Sequence, residues 1–323
     1  MPACAFISLV EADEEAANAA ETRADMLQYS GRGYLQLRHV LVQLPERDSA
    51  GSRASTLARF VHERKHRALL LYLLLLTCWP WLEERRLPLQ SDVWIRALSA
   101  PGALTWTPST LSRAWADLED LGLVEKRRDQ RLVRVVPRRE DAGEAYTAPG
   151  GRSDRVNTYF ILPGEFWTDE VFARLSLPGL AMLLVIAKET SSKSEFRMTY
   201  ANADEWFGIK PKTAQNGIRD LEEAGLVRQR AVVVKAPLSP SGSTVQMWYS
   251  LTGAFSQGER KALQIRTAKE RARRLKRGDN ADGSGADASG SRASARPARQ
   301  PRASLNAREL EALLASWRRG ESK

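Results

Sequence analysis

Histidine and cysteine are scarce in this chain of 323 residues, which carries three of the first and two of the second. Cys4 and Cys78 have no neighbour at metal-ligand spacing and cannot build a disulfide framework. That excludes a small stapled fold and a cysteine-based zinc module, and it fits a reducing, cytoplasmic setting. No Ser/His/Asp or Cys/His arrangement and no glycine-rich phosphate loop is visible, so neither catalysis nor a cofactor is expected. Long apolar runs are also lacking. The longest, ALLLYLLLLTCWPWL at Ala68–Leu82, falls short of the roughly 18–20 residues that span a bilayer, and Pro80 interrupts it. It reads as a helix apolar on all sides, buried in a core or a subunit interface. The opening MPACAFISLV has no basic n-region, so no secretory signal is expected.

What is abundant is positive charge. The formal net charge is +10, and from Ser256 onward 17 Lys/Arg stand against 8 Asp/Glu, so the last segment holds about +9 of it. Such a balance favours a polyanionic partner. The Arg-rich, Lys-poor usage suggests a GC-rich bacterial genome.

The chain divides by composition. Residues 1–55 have weak periodicity and are expected to be loosely ordered, with one helix near Glu11–Tyr29. A first domain follows at 56–137, then a Pro/Gly/charge-rich linker at 138–155, then a second domain at 156–255. Ser256 and Glu259 form a capping-box pattern that opens a basic helix at 256–277, carrying Arg260, Lys261, Arg266, Lys269 and Arg271 among others. Residues 278–303 are too poor in apolar side chains to fold alone and read as disordered. At 304–319 a short amphipathic helix is expected, with Leu310, Leu313, Leu314 and Trp317 on one face, a docking segment for a protein partner.

One phrase occurs twice. Pro108–Val124 reads PSTLSRAWADLEDLGLV and Pro211–Val227 reads PKTAQNGIRDLEEAGLV, with Pro, Thr, Asp-Leu-Glu and Gly-Leu-Val in the same register. Each copy predicts a helix opened by Pro, stopped by Gly and followed by a strand. Leu111, Trp115, Leu118 and Leu121 face inward in the first copy; Ala214, Gly217 or Ile218, and Leu221 do so in the second. Upstream of the second copy, Ser176-Leu177-Pro178 starts an apolar helix, Asn202 caps a short one that Gly208 ends, and a tight turn leads to Pro211. Upstream of the first, Leu69–Leu76 and a helix capped by Ser91 play the same parts, but SAPGALTWT is longer than a tight turn. Strand, turn and strand follow both copies, with tips at Asp129-Gln130 and at Pro240–Ser243.

This order, helix, short helix, turn, helix and β-hairpin, resembles winged helix-turn-helix DNA-binding proteins, a family that includes bacterial regulators and plasmid replication initiators. The resemblance implies a mostly α fold with small β-hairpin wings (α+β), two winged-helix domains in tandem and a disordered basic C-terminal tail. It implies that the helix of each repeated phrase is a recognition helix for the major groove of double-stranded DNA, and that each hairpin touches backbone or minor groove. The outward residues would then make the contacts: Ser109, Thr110, Ser112 and Arg113 in the first copy, and Lys210, Lys212, Thr213, Gln215, Asn216 and Arg219 in the second. Arg128, Arg131, Arg228 and Arg230 would act from the wings. Asn and Gln pair bidentately with adenine and Arg with guanine, each worth roughly 1–3 kcal/mol of discrimination. The shared positions are scaffold; the positions that change would read different half-sites.

Function follows as an expectation: a sequence-specific DNA-binding protein associated with the nucleoid in the cytoplasm, and not an enzyme. Transcriptional regulation is the first reading and plasmid or mobile-element replication the second. A protein-binding winged-helix adaptor is the third, since some winged helices bind protein. A membrane partner is not expected; a homodimer is compatible with the sequence. Finally, His62-Glu63-Arg64-Lys65-His66 matches HExxH and would set both imidazoles on one helical face, but the surrounding Arg and Lys oppose a divalent cation. A charged first turn entering the apolar helix is the preferred reading.

Overall fold

A computed structural model of the chain describes residues 16–46, 53–85, 88–129, 132–151 and 155–282. The fold is α+β, about half helical with small antiparallel sheets. In chain order the elements are α1 (Ala19–Ser30), β1 (Tyr34–Arg38), α2 (Thr56–His62), α3 (His66–Leu82), α4 (Ser91–Leu98), α5 (Pro108–Asp120), β2 (Val124–Asp129) and β3 (Leu132–Pro137). There follow β4 (Tyr159–Pro163), α6 (Glu165–Thr168), α7 (Val171–Arg174), α8 (Leu177–Glu189), β5 (Phe196–Arg197), α9 (Tyr200–Phe207), α10 (Pro211–Glu223), β6 (Val227–Lys235), β7 (Ser243–Leu251) and α11 (Gln257–Asp282). The chain falls into two compact units, Met1–Lys261 and Ala262–Lys323.

Two apolar helices are the largest single contributors to the core. Residues Ala68–Trp79 of α3 and Leu180–Ala187 of α8 are buried on all sides, the burial expected of helices without a polar face. Among the described residues no helix is long and apolar enough to cross a membrane. Cys78 lies inside this core, where burial pushes its thiol up to about 12.

The repeated phrase builds the same local structure twice. Gly122 and Gly225 both have positive φ, 73° and 69°. In each copy the Gly N–H returns to the carbonyl three residues earlier, Glu119 or Glu222, at 2.9 Å. The next Leu returns to Leu118 or Leu221 at 2.9 and 2.8 Å, which closes the helix end on its own carbonyls. The shared Asp also works alike in both. Asp117 pairs with Lys65 at the N-terminal cap of α3 (3.3 Å), and Asp220 accepts from the N–H and hydroxyl of Ser176 at the cap of α8 (2.8 and 2.6 Å). Each Asp therefore fastens its helix to the start of the long apolar helix beneath. Below α10 the approach is close enough to require Gly217, since a Cβ there would sit 2.3 Å from the Pro178 carbonyl oxygen.

Several expectations from sequence need correction. Residues 16–46 are not loose: β1 pairs with β4 from Tyr34↔Pro163 to Arg38↔Tyr159, and Arg23 and Arg38 are buried. Of the expected linker at 138–155, residues 138–151 are anchored, with Glu140 buried and Arg138 bridged to Ala145. The two halves of the first unit consequently share one continuous core instead of standing as separate domains. The indole of Trp167 donating to Thr77 spans them. Capping also differs. Gln90, without a side-chain bond, precedes α4 in place of Ser91, and Thr199 caps α9 with Asn202 as its reciprocal partner. The HExxH stretch is broken at Arg64, whose φ is 56°, so His62 ends one helix and His66 opens the next. One-face spacing requires a continuous helix, and here it is lost. The docking segment at Leu310–Trp317 and the stretch from 283 onward lie outside the described residues.

Candidate nucleic-acid interface

Helix α10 carries the clearest division of faces. Ala214, Gly217, Ile218 and Leu221 are buried against α8. Lys212, Gln215 and Arg219 are exposed, with Thr213 and Asn216 half-buried at the edges. Spacing dictates this outcome, because apolar positions at i, i+3, i+4 and i+7 leave a polar stripe on the other side. Lys212 Nζ donates to Gln215 Oε1 at 3.0 Å, and Arg219 sits 3.8 Å from Glu223 in an exposed, weakly held pair. Lys210 occupies the cap position with an exposed side chain and makes no capping hydrogen bond. The first-turn amides of α10 are thus left to other acceptors, and the helix dipole favours an anion there. A three-residue turn, Gly208–Lys210, sets α10 directly after α9.

The sheet beside α10 has the order β5-β7-β6. Arg197, Trp248 and Arg230 are cross-strand neighbours and share one face, and Arg228 joins them two residues along β6. Arg197 was missed by sequence reasoning: a two-residue strand has no readable period. Arg230 is less available than expected, because it pairs with Glu195 and lies 5.7 Å above the Trp248 ring. The Arg230 hydrogen bond holds the Glu195 carboxyl below its usual range. Past Tyr249 the β6–β7 hairpin outruns the core, and Val233 and Val245 are exposed there, with Leu238 wholly so at the tip.

The first copy is chemically plainer. Ser109, Ser112, Arg113 and Ala116 are exposed on α5. The Thr110 hydroxyl accepts from the Thr107 N–H at 2.8 Å, and Thr107 accepts from the Thr110 N–H at 3.2 Å. This capping box employs Thr110 in holding the helix start, and Ser109 lies 3.0 Å from the same Thr107 hydroxyl. Nine residues, Ser99–Thr107, separate α4 from α5, and they are not slack, since Trp106 is buried. Arg128 is exposed on β2; Arg131 lies outside the described residues.

Arg260, read from sequence as part of a solvent-facing basic helix, is buried instead. It donates to the carbonyls of Phe255, Ala187 and Thr190 at 2.8, 2.7 and 3.0 Å, and to the Thr190 hydroxyl. Burial pushes its pKa down to about 10. A guanidinium satisfied by carbonyls at the end of α8 is a fastening, aided by the helix dipole, and is closed to phosphate. Lys261, Arg266, Lys269 and Arg271 remain exposed.

Comparisons of the chain with family models, with curated proteins and with solved structures return no match.

Proposed function

We propose that the chain is a sequence-specific double-stranded DNA-binding protein, built from two winged-helix halves that share one core and used as a transcriptional regulator. The observation that carries this reading is the exposed face of α10. Lys212, Gln215 and Arg219 are exposed on the side opposite its buried residues, with Asn216 half-buried among them, after a three-residue turn and before a strand hairpin with a cationic face. In the proposed mechanism α10 enters the major groove, with its amides and guanidinium reading base edges and Lys210 and the helix N-terminus holding phosphate. Arg228 and Arg197 reach the backbone from the sheet. Helix α5 contributes Ser112 and Arg113 to a second, weaker contact. The exposed cations of α11 add sequence-independent attraction. No catalytic role is assigned.

Selection of bound sequences from a random DNA pool, followed by mobility shift, tests the reading. A defined motif is expected, and Asn216→Ala with Arg219→Ala should weaken its binding by at least tenfold while non-specific binding changes little. Equal loss on every sequence would restrict these side chains to phosphate. Motif copies arrayed in an origin would instead assign the chain to replication initiation, and no shift of any DNA at low salt would favour the protein-binding adaptor.

A further inference from the structure

Strand β6 is the outer strand of the order β5-β7-β6, so one of its edges meets no other strand among the described residues. Which residues face that edge follows from the ladder. The Thr252 N–H donates to the Leu226 carbonyl at 3.0 Å and the Ala236 N–H to the Gly242 carbonyl at 2.9 Å, so the even-numbered positions of β6 exchange hydrogen bonds with β7. The Met247 carbonyl agrees: it accepts from Met198 on the far side of β7, as the cross-strand partner of an outward-pointing Ala231 must. The N–H and C=O of Gln229, Ala231, Val233 and Lys235 therefore point to the open edge, where no hydrogen-bond partner meets them among the described residues.

Such an edge is a template for a further strand, and chains usually blunt it with a bulge, a proline or charge. β6 has neither bulge nor proline: its register with β7 runs one to one from Val227↔Leu251 to Lys235↔Ser243. Its outer half also stands clear of the core, with Ala231, Val233 and Lys235 exposed. Val233 is 71 % exposed and its cross-strand partner Val245 57 %. Charge is left as the one safeguard, in Arg228, Arg230 and Lys235.

We propose that β6 pairs antiparallel with β6 of a second copy of this chain, about a two-fold axis at Val232, joining two three-stranded sheets into one. The edge selects this occupant because it is complementary to itself. In that register Gln229 lies opposite Lys235 and Ala231 opposite Val233, so the outward residues meet only one another and each N–H and C=O finds a partner. No two cations meet. Arg228 falls opposite Ala236, Arg230 opposite Val234, and Lys235 opposite Gln229, whose side-chain carbonyl can accept from the ammonium. Neighbouring registers are worse. An axis at Val233 sets Gln229 opposite Pro237, which has no N–H. An axis at Ala231 calls on Val227, which is buried, and one at Arg230 opposes two guanidinium groups. Antiparallel pairing also sets the two cores at opposite ends of the shared sheet. The pairing does not depend on the DNA reading.

Sedimentation equilibrium of the full chain, without DNA, tests the proposal. At about 100 μM, above the micromolar Kd of a small interface, the mass should be twice the 36.0 kDa of one chain, and it should fall toward 36.0 kDa on dilution. Val232→Lys sets two ammonium groups against each other at the axis and should give a monomer throughout, with the fold checked by circular dichroism. Cross-linking tests the register. Residues opposite one another in a non-hydrogen-bonded pair have Cα atoms about 4.5 Å apart, within disulfide reach. In a Cys4→Ser background, Val232→Cys should therefore oxidise to a covalent dimer. Val234→Cys, whose twin would lie roughly 13 Å away along the strands, should not. A monomer at every concentration, a dimeric Val232→Lys, or equal cross-linking at 232 and 234 would overturn it. A failed mobility shift would remove the DNA reading and leave these masses untouched.

Discussion

Arg38 and Glu140, 102 positions apart in sequence, form an ion pair at 2.9 Å in which neither side chain is exposed to solvent. The carboxylate also accepts from the Arg38 N–H at 3.0 Å. The guanidinium donates further to Asn157 and to the carbonyl and hydroxyl of Thr147, and lies over Tyr146. Every charge here has a partner, as burial demands. The pair ties β1 to the segment after the first hairpin. Glu140→Ala should therefore cost about 3–5 kcal/mol by stranding a buried cation. Replacing both residues by apolar ones should recover much of the loss. Urea unfolding of the single and double variants measures this, and a single variant within 1 kcal/mol of the parent would contradict it.

Gly217→Ala should destabilise by about 1–3 kcal/mol, the usual cost of overpacking, although alanine is the better helix former. The added methyl would meet the Pro178 carbonyl and the Met182 side chain, so α10 must shift from α8. A thermal melt reads the cost. A rise in Tm would mean that the two helices do not approach as described.

Arg260→Met should detach the start of α11 from the end of α8. The carbonyls of Ala187 and Thr190 lose a charged donor, each such bond being worth roughly 1.5–3 kcal/mol. Hydrogen exchange should rise at 255–261 first. Unchanged protection there would show that Phe255 alone anchors the segment.

Much of this architecture was legible in the sequence, and the reason is periodicity. Leu111, Trp115 and Leu118, and Ala214, Ile218 and Leu221, recur at helical spacing, and Gly122 and Gly225 can end helices as few other residues can. What stayed hidden were the charged residues inside. Arg23, Arg38, Glu140 and Arg260 are buried, yet polarity alone puts them at the surface, and only partners far away in sequence reverse that. Without the Arg38 partners, 1–55 read as loose and 138–155 as a linker. At the candidate interface, spacing put Gln215 and Arg219 on the outer face. It could not foresee that Thr110 caps its helix or that Glu195 holds Arg230. Both depend on local geometry that no period encodes.

Stability should fall as pH drops from about 6.5 to about 4. Burial is the main cause that pushes both His39 and His66 down to about 4, aided by Lys188 at His39 and Arg67 at His66, and opposed by Glu189 and Asp220 respectively. Both Nε2 atoms are buried without a hydrogen-bond partner. Between the two pKa values the unfolded chain binds protons that the folded chain does not, so unfolding gains with acid. Each histidine contributes up to roughly 3 kcal/mol across that window. Denaturant unfolding at pH 7 and at pH 4.5 should show the drop, and His39→Gln with His66→Gln should shrink it. A parent chain equally stable at both pH values would rule out neutral, buried imidazoles.

The salt dependence of DNA binding separates the basic tail from the fold. Each phosphate neutralised adds about 0.9 to the log–log slope. Deleting 266–323 removes most of the excess positive charge but spares Arg260, whose loss would confound the result by loosening the end of α8. The truncated chain should keep its motif preference, carried by Asn216 and Arg219, while its slope falls by several units. Arg219→Ala in the same background should lower the slope little and the preference much. If truncation left the slope unchanged, the cations of α11 would not touch DNA, and the electrostatic contribution would have to come from the fold itself, from Lys210, Lys212, Arg197, Arg228 and Arg113.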